Sequence, residues 1–101
     1  MHDSLLHMLR GLLKEMDYVQ SQGAGYYSCS PFAKRFNKLA TEATHCLGAN
    51  NALMRTFEPL DETDPKDTAE KSKRLLSIRI EIGQLIALLE SLKPQTREPG
   101  N

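Results

Sequence analysis

The chain has 101 residues, of which 40% are hydrophobic and 26% are charged, and its formal net charge at pH 7 is zero. This length suits one domain with a modest core, and the composition is that of a folded protein rather than a disordered one. The balanced charge excludes the strong long-range field that a dedicated nucleic-acid or membrane-surface binder carries.

The most apolar stretch, residues 75–92, does not predict a membrane span, because three charged residues interrupt it. The first residues lack the basic region and the small-residue cleavage site of a secretory signal. We therefore expect a cytoplasmic protein in which Cys29 and Cys46 are both reduced. A helix that starts near residue 31 would hold these two thiols roughly 22 Å apart, which is too far for a disulfide.

The first predicted helix covers residues 4–21, because apolar residues recur there at the spacing of one helix face. These residues are Leu5, Leu9, Leu12, Met16 and Val19. Leu6, Met8 and Leu13 widen the apolar face on both sides, which predicts contact with two neighbouring helices. Gly23 is placed to end the helix.

The second predicted helix covers residues 31–57, with Ser30 as its N-terminal cap and Pro31 in its first position. Its apolar residues alternate spacings of four and three as far as Pro59. One member of this pattern, Asn50, is polar. A buried amide there needs a hydrogen-bond partner and sets the register of neighbouring helices at a cost in stability. The alternatives are a partly solvated position near an end of the bundle and a ligand contact.

The third predicted helix covers residues 65–93, between the acidic turn 58–64 and Pro94. Asp64 is its predicted N-terminal cap. The main apolar face of this helix consists of Leu75, Ile78, Ile82, Leu85, Leu89 and Leu92. Residues 94–101 form a polar tail that we expect to be disordered.

These elements predict an all-α fold, in which residues 1–93 form a single domain built as an antiparallel up-down-up three-helix bundle with coiled-coil-like packing. The second and third helices are the long ones, at roughly 40 and 43 Å. Because the first helix is shorter, residues 50–74 are expected to protrude as a two-helix hairpin with an acidic tip.

A second apolar face lies on the third helix, about 100° around its axis from the main one. It consists of Leu76, Ile80, Gly83 and Ala87, and Leu88 adds an apolar side chain on the opposite side of the main face. Gly83 and Ala87 are small enough for another helix to approach closely. We therefore predict a homodimer that uses these five residues. The alternative is a monomer that leaves a few apolar residues exposed.

Candidate chemistry is sparse. No two histidines have the spacing of metal ligands, and no pair of cysteines does either. Cys29 is the candidate reactive thiol, because the helix start that follows it could lower its pKa, although no histidine is near it in the sequence. Lys34, Arg35 and Lys38 form a candidate basic patch.

The sequence contains no recognisable set of acid, base and nucleophile, so we expect a protein that is not an enzyme and uses no cofactor. The expected function is protein–protein interaction through helices, with a second copy and with an unidentified protein partner, away from membranes. The alternative is nucleic-acid or phosphate binding through Lys34, Arg35 and Lys38. Phosphate binding weakens steeply with salt, whereas apolar contact does not.

Overall fold

The computed structural model describes residues 2–23, 28–48 and 51–92. Within these ranges the chain is helical, without strands: α1 is His2–Ser21, α2 is Ser30–Leu47 and α3 is Thr68–Leu92. The three helices pack against one another, so the all-α prediction is confirmed. Asn50 and the tail 94–101 lie outside the described residues, and the register and disorder expected of them stay predictions.

The core is built from one apolar face of each helix, as the helical spacing predicts. Its buried members include Leu5, Leu6, Leu9, Leu12, Met16, Phe32, Ala33, Phe36, Leu39, Ala43, Leu75, Ile78, Ile82, Leu85 and Leu89. Met54, which lies outside the three helices, is also buried in this core. The broad apolar face of α1 contacts both other helices, so it lies between them and closes the bundle.

The predicted helix 31–57 is wrong beyond Leu47, where α2 ends. Gly48 has a φ of 89°, a conformation that side-chain-bearing residues rarely adopt, and its N–H donates to the Thr44 carbonyl at 2.8 Å. The chain then continues without an α-helix until α3, apart from one short 3-10 turn, Met54–Thr56, within the described residues. Gly48 was the signal in the sequence for this helix end. It was overlooked because apolar residues continue at helical spacing beyond it.

The described part of the connector, residues 51–67, passes back along α2 instead of protruding. The side-chain amide of Asn37 donates to the Leu60 carbonyl at 3.0 Å and accepts from the Leu60 N–H at 2.8 Å. Further along, the Asp64 carboxylate accepts from the backbone N–H of Cys29 at 2.5 Å and of Ser30 at 3.2 Å. The predicted hairpin 50–74 is therefore wrong, because the connector returns the chain to the start of α2.

The returning connector makes α2 and α3 parallel. The Cys29 sulfur, at the start of α2, lies 3.4 Å from the Lys71 carbonyl near the start of α3. Leu53, which follows α2, shares a groove with Leu88 near the end of α3. The predicted up-down-up order is therefore wrong, since a long connection permits parallel neighbours where a short one does not.

Helix α1 is antiparallel to α3, as two ion pairs between these helices show. Arg10 pairs with Glu90, and Asp17 pairs with Arg79 at 2.5 Å, so low numbers on one helix meet high numbers on the other. The short link between α1 and α2 makes that pair antiparallel too. The bundle is thus up-down-down, with a long crossover before its third helix.

The start of α3 also differs from the prediction. The helix begins at Thr68 rather than residue 65, and the Asp67 carboxylate accepts from the Glu70 N–H at 3.1 Å. This is half of a capping box, the arrangement typical of an acid followed three residues later by glutamate. Asp64, the predicted cap of this helix, instead caps α2, because the connector places it beside Cys29.

Candidate interaction surface

The outer face of α3 consists of Leu76, Ile80, Gly83 and Ala87, and it points away from the core. Leu76 is 57% exposed and Ile80 is 52% exposed, although both are large apolar residues. Their neighbours Leu75 and Ile82 are buried, because successive residues rotate by about 100° around a helix. The rotation that carries one row into the core leaves the other in solvent.

The two small residues leave the outer face open along its length. A Cβ atom added to Gly83 would meet no other atom within 4 Å, and Ala87 is exposed. No side chain of the described residues therefore fills the space above Gly83. These four residues of the predicted interface lie together on one side of the helix.

Leu88 does not belong to this surface. It is only 8% exposed and packs into the chain's own core, so assigning it to a partner interface was wrong. Leu88 borders a groove of about 270 Å³, together with Leu53 and Phe57 of the connector. The sequence analysis predicted that the connector forms a protruding hairpin. It therefore did not predict that the connector lies against this side of α3.

The sequence analysis did not assign to the interface two charged residues that lie at the ends of the outer face. Lys73 lies one turn before Leu76, and its side chain is 76% exposed while pairing with Glu70 at 3.5 Å. Glu90 lies one turn after Ala87, and its side chain stays 49% exposed beside Arg10. The signal for both is their spacing, since each continues the helical face by three residues.

The basic patch of Lys34, Arg35 and Lys38 is exposed on α2. These three residues border a shallow groove of about 200 Å³ with Pro31. Among the described residues, no carboxylate forms an ion pair with any of the three. The acidic connector contacts the neighbouring side of α2, where Glu62 accepts from the Asn37 side-chain amide at 2.8 Å.

Arg74 of α3 anchors the other acidic part of the connector. It donates to the Thr63 carbonyl at 2.8 Å and lies 3.7 Å from the Asp61 carboxylate. Hydrogen bonds from the Thr63 hydroxyl and N–H, with the Arg74 charge, lower the pKa of Asp61 below its ordinary value. The carboxylates of this segment therefore serve the crossover, not the basic patch.

Cys29 is buried, which argues against the reactive thiol considered from the sequence. Its sulfur contacts the Lys71 carbonyl, and burial, aided by the Asp64 charge, raises the pKa of the thiol above its ordinary value. A reactive thiol needs the opposite shift and access to solvent. The start of α2 does not lower the pKa of this thiol, because the Asp64 carboxylate already accepts hydrogen bonds from the N–H groups there. Cys29 and Cys46 are both unpaired, as the distance between them predicts.

We expect alkylating reagents to modify Cys46 at least about tenfold faster than Cys29 at a pH near 8, because Cys46 is partly exposed and Cys29 is fully buried. Peptide mass spectrometry after timed exposure to iodoacetamide measures both rates. In denaturant, as a control, the two rates should converge. Preferential modification of Cys29 in the folded protein would contradict its burial.

Other classes of site find little support in the part of the chain that the structure describes. No group of three histidine, cysteine, aspartate or glutamate side chains there could hold a metal ion. None of the described helices is both long and apolar enough to cross a membrane. Comparison of the chain with protein-family models, with curated proteins and with solved structures finds no match.

Proposed function

We propose that this chain is a non-catalytic cytoplasmic protein that acts through helix–helix contact, with a second copy of itself as the first partner, by means of the outer face of α3. The observation that supports the proposal is the pair Leu76 and Ile80, large apolar residues four positions apart and each more than half exposed. Such a pair on a long helix, beside residues that leave space, is typical of a surface that another helix covers.

The packing of the core does not explain why Leu76 and Ile80 are exposed. The main apolar face of α3 already supplies residues that the bundle buries, and none of the four outer-face residues belongs to this core. Exposed apolar residues that occur singly are ordinary on monomers, and Tyr18 on α1, which is 64% exposed, is one of this kind. Leu76 and Ile80 differ from it because they form a continuous row with Gly83 and Ala87.

The magnitude of the apolar contribution sets the expected affinity. A symmetric dimer would bury what remains exposed of four large side chains, at about 1 kcal/mol each. These contacts total about 4 kcal/mol, which corresponds to a Kd of about 1 mM before the cost of lost translational and rotational freedom, so we expect a weak dimer with a Kd in the millimolar range. Measurements should therefore reach protein concentrations of several millimolar, so that they extend above a Kd of about 1 mM.

The proposal is tested by changing Ile80→Glu. This substitution would force a charge into the interface, so we expect the dimer to dissociate and the Kd to rise by about 100-fold or more. Light scattering or sedimentation should then show only the 11.4 kDa monomer. Stability of the monomer should stay within about 0.5 kcal/mol, since Ile80 makes little contact with the core.

Tyr18→Glu provides the matched control, because it places the same charge at an exposed aromatic position on another helix. It should leave association unchanged. Wild-type association should also persist at about 0.5 M salt, where phosphate contacts through the basic patch would be lost. A wild-type chain that remains at 11.4 kDa throughout the concentration range would refute the proposed homodimer.

A further inference from the structure

The outer face of α3 is part of a longer row with an internal symmetry. The row consists of Lys73, Leu76, Ile80, Gly83, Ala87 and Glu90. Its successive spacings are 3, 4, 3, 4 and 3, which read the same from either end and have their midpoint between Glu81 and Ile82. These are the spacings of a two-helix seam, and the row is roughly 26 Å long.

The side chains of this row are complementary when the row is reversed. Reversal places Lys73 opposite Glu90, a cation opposite an anion. It places Leu76 opposite Ala87 and Ile80 opposite Gly83, in each case a large apolar residue opposite a small one. All three pairings follow from one reversal, and none requires a further shift of register.

We infer that the α3 helices of two copies pair antiparallel about a twofold axis at the Glu81–Ile82 midpoint, with Ile80 of each copy over Gly83 of the other. This inference rests on the proposed homodimer and specifies its geometry. A twofold axis makes each pairing occur twice, so the dimer contains two salt bridges and four large-to-small contacts. The helices can approach closely because Gly83 and Ala87 carry little or no side chain.

The structure leaves this row free to pair. Among the described residues, no side chain lies within 4 Å of a Cβ added to Gly83, and the large residues Leu76 and Ile80 are more than half exposed. Lys73 and Glu90 keep most or about half of their side-chain surface exposed despite their pairs within the chain. In the dimer, Glu90 would lie between Arg10 of its own chain and Lys73 of the second copy.

A parallel pairing fits the same residues poorly. It would place each residue opposite its own counterpart, so two Lys73 ammonium groups and two Glu90 carboxylates would face each other. It would also stack Ile80 on Ile80 and leave a gap where the two Gly83 residues meet. Like charges and uneven packing both disfavour this arrangement.

Disulfide cross-linking tests the orientation. Leu76→Cys and Ala87→Cys, each in a Cys46→Ser background, are mixed in equal amounts in a thiol–disulfide buffer, and mass spectrometry identifies the cross-linked species. In the antiparallel register residue 76 of one copy faces residue 87 of the other, whereas two copies of residue 76 are roughly 17 Å apart. Random pairing would give twice as much mixed species as either homodimer, and we expect this ratio to be exceeded severalfold.

Each result of this experiment is decisive. Predominant cross-linking of Leu76→Cys to itself would overturn the antiparallel register in favour of a parallel one. Absence of every cross-link, while light scattering still shows a dimer, would overturn pairing through this row. Absence of any dimer would instead overturn the proposed function on which the inference depends.

Charge reversal gives a second, independent readout. Lys73→Glu should raise the Kd by about tenfold at low salt, because it places two carboxylates opposite each other at both ends of the seam. The double variant Lys73→Glu/Glu90→Lys should bind more tightly than the single variant, because it restores opposite charges across the seam, although its new charges facing Glu70 and Arg10 within each chain offset part of this gain. A double variant that binds no better than the single one would contradict the pairing of these two positions.

Discussion

Replacing Phe36 by alanine is expected to lower the free energy of unfolding by about 3–5 kcal/mol, the range for removing a buried aromatic ring. Phe36 is fully buried in the middle of α2. Its ring lies 6.4 Å from that of Phe57 at an angle of 48°, so it also holds the connector. A protein of this size has on the order of 5–15 kcal/mol in total, so the loss would remove a large fraction of it.

Urea unfolding followed by circular dichroism, at concentrations where the chain is monomeric, measures this loss. Tyr18→Ala is the control, since it removes an aromatic ring that is mostly exposed and should change stability by no more than about 0.5 kcal/mol. A double-mutant cycle with Phe57→Ala should give a coupling of about 0.5–1.5 kcal/mol. A loss below about 1 kcal/mol for Phe36→Ala would contradict its central place in the core.

Replacing Asn37 by alanine is expected to cost about 1–3 kcal/mol, because this side chain holds the returning connector. Its amide both donates to and accepts from the backbone of Leu60, and it donates to the Glu62 carboxylate. Without it, the half-buried N–H and carbonyl of Leu60 would lose their partner. The connector should then detach locally from α2 before the helices unfold.

Hydrogen exchange separates this local effect from a general loss of stability. The Leu60 amide should lose protection in Asn37→Ala by more than the α1 amides do. Glu42→Ala, further along the same helix, is the control, since this exposed side chain lies 3.9 Å from His45 of its own helix. Unchanged protection of the Leu60 amide would show that Asn37 does not anchor the connector.

The end of α2 is one feature that the sequence predicted wrongly. Apolar residues continue at helical spacing after Gly48, and two of them, Met54 and Phe57, do pack against the core. The rhythm therefore reported the burial of these two residues, but it reported neither the exposure of Leu53, which is 56% exposed, nor the backbone conformation. A chain that turns back can bury the same side chains as a chain that continues straight, and the pattern of polarity does not distinguish the two.

The direction of the connector could not be predicted from the sequence, for a related reason. Asp64 next to Pro65 is a good local helix start, and only the packed chain assigns its carboxylate to Cys29, 35 residues earlier. Local and distant capping use the same residue types and leave the same signature. The burial of Cys29 and of Leu88 follows from that return path, so both were misjudged with it.

The sequence by itself determined the helical class and the orientation of α3 about its own axis. Both follow from local geometry, since about 100° per residue separates Leu76 and Ile80 from Leu75 and Ile82 whatever the rest of the chain does. Only the tertiary structure decided that α2 and α3 are parallel. That choice depends on hydrogen bonds and apolar contacts between distant residues, such as Asn37 with Leu60, whose energies no local pattern records.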